Sequence, residues 1–269
     1  MIAVKSSRPP LLATLAECAN YRTLFFFLTI RDLKLRFRQT AVGVLWALVQ
    51  PLMPMLIFAA VFGRVLRPAT GPVPYMLFVL SGLAPWAFFA NAVVIAAGTF
   101  VSNYNLLNKV YFPRALLPAA AVSACIFDWL ISTVFLLGLM LVQSFRPHAG
   151  WFLLPAVLLW GIVLAMSVGL GAAALIVIYR DLKHLFPFLV QLWMYATPVI
   201  YPLAMLPLRL QWAAGLNPMA GVVESYRWCL FGGLLNGQLV TLSLLSTAVM
   251  LIGAGVVFQH LESDLAERA

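Results

Sequence analysis

The sequence predicts an all-α membrane protein. It has six transmembrane helices, an N-terminal amphipathic interfacial helix, and two short re-entrant helices between spans five and six. Three observations lead there. First, only 9% of the 269 residues are charged and 64% are hydrophobic. A soluble domain carries about 25% charged residues, so this composition cannot cover a water-exposed surface. Second, uncharged runs recur at lengths that cross a hydrocarbon core, roughly 20 residues or ~30 Å. Third, the cations stand beside those runs rather than in a stripe on a polar domain. The net charge of +9 therefore points to anionic headgroups and to cations retained on one side of a membrane, not to nucleic acid.

The N-terminus carries Lys5 and Arg8 ahead of PPLLATLAECA, which loosely imitates a secretion signal. Glu17 breaks the apolar run and occupies the position before Cys18, where cleavage needs a small residue, so no cleaved signal is expected. Residues 11–30 read instead as an amphipathic helix on the cytoplasmic face. The stretch RDLKLRFRQTAVGVLWALVQPLMP follows. Its cations Arg31, Lys34, Arg36 and Arg38 form a basic collar. Arg31, Lys34 and Arg38 share one helical face, and Ile30, Leu33 and Phe37 share the neighbouring one. Such a turn lies in the headgroup layer and feeds directly into the first charge-free span, 43–63. Residues 1–42 are thus a cytoplasmic N-terminal region, 43–262 the transmembrane domain, and 263–269 a cytoplasmic tail.

The later spans are expected at 75–101, 115–145, 151–178, 185–202 and 239–258. Gly71, Pro72 and Pro74 punctuate the turn before the second span. Between the second and third lies 102–114, SNYNLLNKVYFPR, too polar to cross lipid. Between the fourth and fifth lies the short charged turn YRDLKH, 179–184. The segment 203–238 is apolar yet broken by Arg209, Gly215, Asn217, Pro218, Gly221, Glu224 and Arg227. It reads as two short helices, 205–215 and 218–231, that dip into the membrane and return, which requires cover by protein or a water-filled cavity. Six crossings put both termini on one side. Twelve of the 17 cations then fall on the N-terminal side, so that side is cytoplasmic.

Several chemistries are missing. There is no G-x-x-x-x-G-K-[ST] phosphate loop, no H-E-x-x-H and no G-x-S-x-G. Cys18, Cys125 and Cys229 are far apart, as are His148, His184 and His260, so no metal site is expected. Asp128 is the single carboxylate inside a span, and Ser123, Ser132, Thr133 or a facing helix can satisfy it. One such group is thin support for an ion-coupled carrier. No cofactor and no catalytic residue are expected in this chain. The connections 102–114 and 179–184 are short and basic. On their residues alone they are either plain inner loops or stiff elements that receive force from a soluble partner.

Four blocks in order, RDLKLRFRQTAVGVLWALVQP, NLLNKVYFPRALLP, YRDLKHLFPFLVQLWMYATPVIYP and LNPMAGVVESYRW, resemble the permeases of type-2 ABC exporters for polysaccharides. That family exports lipid-linked O-antigen, capsular polysaccharide and wall teichoic acid. The resemblance runs from about 31 to 262. It implies a pair of permease chains in the bacterial inner membrane, with a separate ATPase subunit, two copies in all, holding ATP and Mg on the cytoplasmic side. It implies a coupling helix at 103–114, with Asn103, Leu106, Leu107, Lys109, Tyr111, Phe112 and Arg114, and a smaller contact through Arg180 and Asp181. It also implies that the first and fifth spans of both chains line a channel, closed by a periplasmic gate built from the re-entrant helices.

Sugar rings have an apolar C–H face that packs on aromatic rings. Phe186 and Trp193 share one face of the fifth span, Phe188 and Tyr195 another, and Trp46 of the first span can join them. Aromatic side chains also fill helix contacts and interface belts. Tyr201, Asn217, Pro218, Glu224 and Arg227 fall at the implied gate, and Glu224 and Arg227 stand three apart, placed to pair. Two other classes stay open: a type-2 exporter of a drug or lipid, and an ion-coupled carrier that requires Asp128. A membrane glycosyltransferase would need clustered acids on a loop, and none is present.

Overall fold

The computed structural model describes residues 20–38, 45–66, 72–107, 109–145 and 148–268. Among them all regular structure is helical. In chain order it runs α1 (Arg22–Arg38), α2 (Trp46–Leu66), α3 (Tyr75–Ala97), the single turns α4 (Thr99–Ser102) and α5 (Tyr104–Leu107), α6 (Leu116–Val142), α7 (Leu154–Ile178), α8 (Leu182–Ala196), α9 (Leu208–Leu216), α10 (Pro218–Phe231) and α11 (Gly237–Arg268). Residues 1–19, with Lys5, Arg8, Glu17 and Cys18, lie outside the described residues, as do Gly43 and the side chain of Arg38.

Five of the described helices are long and apolar enough to cross a membrane: α2, α3, α6, α7 and α11. The segment expected as the fifth span differs. Helix α8 has 15 residues, ~22 Å at 1.5 Å each, and the chain is non-helical from Thr197 to Pro202. Pro198 and Pro202 supply no backbone N–H, so the helical ladder cannot run through them. Helices α9 and α10, with 9 and 14 residues, are shorter still. The second span stops at Ala97, where Gly98 and the turn after it break the helix. The last helix runs past 258 to Arg268, since no Gly or Pro follows Gly255.

Helix α3 is the centre of the bundle. Its Leu77, Phe88, Phe89 and Val93 pack with Trp129 and Leu136 of α6, Leu164 of α7, and Val222 and Tyr226 of α10. Trp129 stacks on Phe88 at 4.7 Å between ring centres. A second cluster joins Leu28 of α1, Phe100, Phe112, Leu116, Ala173 of α7 and Phe258 of α11. It gathers α1, the α4–α5 turns, the end of α7 and the later part of α11 at one end of the bundle. Helix α1 runs beside the first half of α6 in the same direction. Leu28 sits with Leu116 and Ala120, and two turns later Arg36 meets Cys125 and Asp128.

Candidate functional site

The predicted site residues fall into three groups, which the fold places at the two ends and along one side of the bundle. The first group is where α8 meets α10. Asn217 caps α10: its Oδ1 accepts from the N–H of Met219 at 3.1 Å and from Trp193 Nε1 at 3.0 Å. Its Nδ2 donates to Thr197 Oγ1 at 2.9 Å. Trp193, expected in the channel, and Asn217, expected in the gate, are thus one hydrogen-bonded unit. Pro218 takes the first helical position, where its missing N–H is no loss.

Ten residues on, Arg227 is 5% exposed. Its Nη1 donates to Pro198 O at 2.6 Å and to Glu224 Oε1 at 3.0 Å. Its Nη2 donates to Val199 O at 2.6 Å. The guanidinium lies 3.7 Å over the ring of Phe78. The carbonyls of Pro198 and Val199, just past the end of α8, are satisfied by this one side chain, which therefore holds this part of the chain against α3. The expected Glu224–Arg227 pair is present. Gly82 makes room for it: a Cβ there would stand 2.6 Å from Val199 O and 2.7 Å from Arg227 Nη2. Tyr201 contributes a long bond, its hydroxyl donating to Tyr195 O at 3.4 Å. Helix α10 ends at Gly232, whose φ of 74° suits glycine.

The second group is at the other end of the bundle. Asn103 Oδ1 accepts from Arg31 Nη2 at 3.0 Å, and Asn103 Nδ2 donates to Thr99 O at 2.9 Å. Leu106 and Leu107 pack on the cluster around Phe112. Phe112 is itself buried at 4% exposure, so it anchors the segment and presents no surface to a partner. Asn103 is likewise engaged by α1. The outward residues are Tyr104, Asn105, Lys109, Val110 and Tyr111, the last 84% exposed. Arg180 and Asp181 are exposed in the turn before α8. The basic collar divides too. Lys34 is exposed and Arg31 binds Asp32 and Asn103. Arg36 turns the other way, forming an ion pair with Asp128 and donating to Cys125 Sγ at 2.9 Å. It leaves the collar because the one carboxylate in α6 lies beside it, and a lone charge at that depth is costly.

The third group lies along α2 and α8, the flanks of α3. Gln50 and Asn91 exchange two amide bonds of 3.1 and 2.9 Å between α2 and α3. Trp193 sets its edge on Phe89 at 5.2 Å, and Phe186 packs against the core. Both face inward. Phe188, Tyr195 and Trp46 are instead exposed, at 55%, 53% and 50%. The five aromatic residues expected together are therefore split between core and surface, because the two pairs on α8 point to opposite sides. Sequence reasoning missed Gln50, Asn91, Thr197, Phe78 and Gly82, and did not pair Arg36 with Asp128. A lone Gln and a lone Asn in apolar spans were the available signal for the first two.

Residues 23–231 match the family described as ABC-2 type transporter. The chain belongs to the ABC-2 type transporter family. It is 30% identical over 254 residues to an "O-antigen export system permease protein RfbA" of Myxococcus xanthus, covering 93% of this chain and 97% of that one. It is 26% identical to a protein of the same name from Klebsiella pneumoniae, over 91% and 94% of the two chains. It is 24% identical to the "Polysialic acid transport protein KpsM" of Escherichia coli, over 78% and 81%. The family is one of transporter membrane subunits, which agrees with the missing phosphate loop in this sequence.

Proposed function

We propose that this chain is the membrane-spanning permease of an ATP-driven exporter of polysaccharide, of the O-antigen or capsule type, carried on a lipid. The observation that supports it most is the similarity, across nine-tenths of the chain, to proteins named as O-antigen export permeases. In this reading two copies pair in the bacterial inner membrane with both termini cytoplasmic. The non-helical 197–202 completes the fifth crossing begun by α8. Helices α9 and α10 dip into the outer leaflet and return as the gate. Each copy binds one separate ATPase subunit, which holds the ATP and Mg.

Closure of the ATPases would press on 103–114. Its outward residues Lys109 and Tyr111 make the contact, and Leu106, Leu107 and Phe112 transmit the push into the bundle through the cluster shared with α1, α6, α7 and α11. Arg114 and the turn with Arg180 and Asp181 add a second contact. Helices α2 and α8 leave apolar, aromatic faces uncovered (Trp46, Phe188 and Tyr195 among them), and the two copies set these faces around the glycan path. Asp128 is paired with Arg36, which leaves no free acid in α6 for an ion-coupled carrier. The test is affinity purification of the tagged chain followed by mass spectrometry. A stoichiometric soluble ATPase with the phosphate loop this chain lacks is the expected result. Purification alone, with solute movement in vesicles without ATP, would contradict the reading.

A further inference from the structure

Between α3 and α8 lies an open groove of about 230 Å³, room for one small ring and below the about 300–1,000 Å³ of drug-sized sites. Trp86, Val190 and Met194 form its apolar wall, and Asn91 and Gln191 supply its amides. Among the described residues no Asp, Glu, Lys, Arg or His lines it. Asn91 shares one amide edge with Gln50 of α2, donating at 2.9 Å and accepting at 3.1 Å. A primary amide has two N–H groups and two oxygen lone pairs. Asn91 therefore keeps one of each, and its second N–H points away from Gln50 because the group is planar. Among the described residues neither the Gln191 amide nor the Trp86 indole N–H makes a hydrogen bond. Gln191 stands three residues after Phe188 and four before Tyr195, so the three share one exposed face of α8.

Hydrocarbon offers these amides no partner, and a polar group left unpaired in it is costly. A sugar ring has the complementary chemistry. Its C–H face packs on the wall of Trp86, Val190 and Met194, and its neighbouring hydroxyls both donate to and accept from primary amides. An acidic sugar does not fit, because the groove holds no cation to pair with its carboxylate. We propose that this groove binds one uncharged sugar unit of the exported glycan, with Asn91 and Gln191 holding adjacent hydroxyls. The assignment rests on the export reading for its class of ligand, and it adds a selection of neutral over acidic glycan by the permease itself.

The experiment uses the full chain in phosphatidylcholine nanodiscs and saturation-transfer NMR with two probes, neutral maltohexaose and acidic hexagalacturonate. The wild type is expected to bind maltohexaose, and to bind hexagalacturonate about tenfold more weakly because its carboxylates lose water without gaining a cation. Gln191→Leu should weaken maltohexaose binding about fivefold, the loss of one hydrogen bond. Gln191→Lys should turn the preference toward hexagalacturonate, a reversal that a merely structural role for Gln191 would not produce. Gln143→Leu, the same change at an exposed site at the end of α6 outside the groove, should alter neither probe. Equal binding of both probes by the wild type, binding of neither, or an unchanged preference in Gln191→Lys would overturn the proposal. Loss of the wild-type oligomeric state in Gln191→Leu, read by native mass spectrometry, would give the groove to a second copy of the chain and overturn it as well. ATP-dependent glycan translocation by the permease with its ATPase is measured alongside. Translocation without probe preference sinks the groove alone, and probe preference without translocation sinks the export reading alone.

Discussion

Among the described residues two ion pairs lie at depth, one in α10 and one between α1 and α6, and they are built in opposite ways. In the pair of α10 the cation is the deep partner: the Arg227 side chain is 5% exposed and that of Glu224 25%. In the pair between α1 and α6 the acid is deep: Asp128 is 8% exposed and Arg36 20%. Arg227 spends its two terminal nitrogens on three backbone carbonyls as well as on Glu224. Asp128 has Arg36 as its charge partner and makes no other bond among the described residues. One pair is therefore a staple that fixes an irregular backbone segment. The other is a single clasp between two helices beside an open cleft of about 500 Å³.

Removing the staple should have the largest effect. Arg227→Ala leaves the Pro198 and Val199 carbonyls without donors and Glu224 without a partner. It should lower stability by about 3–5 kcal/mol, read as loss of folded chain in equilibrium unfolding in detergent. Breaking the clasp on one side comes next. Arg36→Ala should cost about 3 kcal/mol because it strands Asp128, while the double change Arg36→Leu with Asp128→Leu should recover most of that loss. If the double variant is as unstable as the single one, the clasp is part of a larger polar network and the contrast fails. The smallest effect is expected from Glu224→Gln, about 1 kcal/mol or less. Glu224 is partly solvated, and Arg227 keeps its carbonyl partners.

The fold was legible in the sequence wherever charge-free length decided it. Helices α3, α6 and α7 fall on their expected spans because about 20 apolar residues in lipid have no alternative to a helix. The short helix α10 was legible from Asn217-Pro218, which caps and starts it. The Glu224–Arg227 pair was legible from its spacing. The end of α8 was only half legible. Pro198 and Pro202 announced an interruption, but nothing in the sequence said that a side chain 28 residues later would satisfy the freed carbonyl of Val199. Arg36 was misplaced for the same reason, since spacing along α1 puts it among other cations and only tertiary packing brings Asp128 to it. Trp193 and Tyr195, two residues apart, were grouped by chemistry, and the helix turns them to different sides.

The most direct test of the export account measures ATP hydrolysis and glycan translocation in the same vesicles, for the permease with its co-purified ATPase. The wild type should do both, with translocation strictly dependent on ATP. Leu107→Pro, which breaks α5 between the exposed contact residues and the packed cluster, should hydrolyse ATP while translocating little or no glycan. Lys109→Glu should resemble it. Translocation by Leu107→Pro at the wild-type rate, or translocation by the wild type without ATP, would contradict the account.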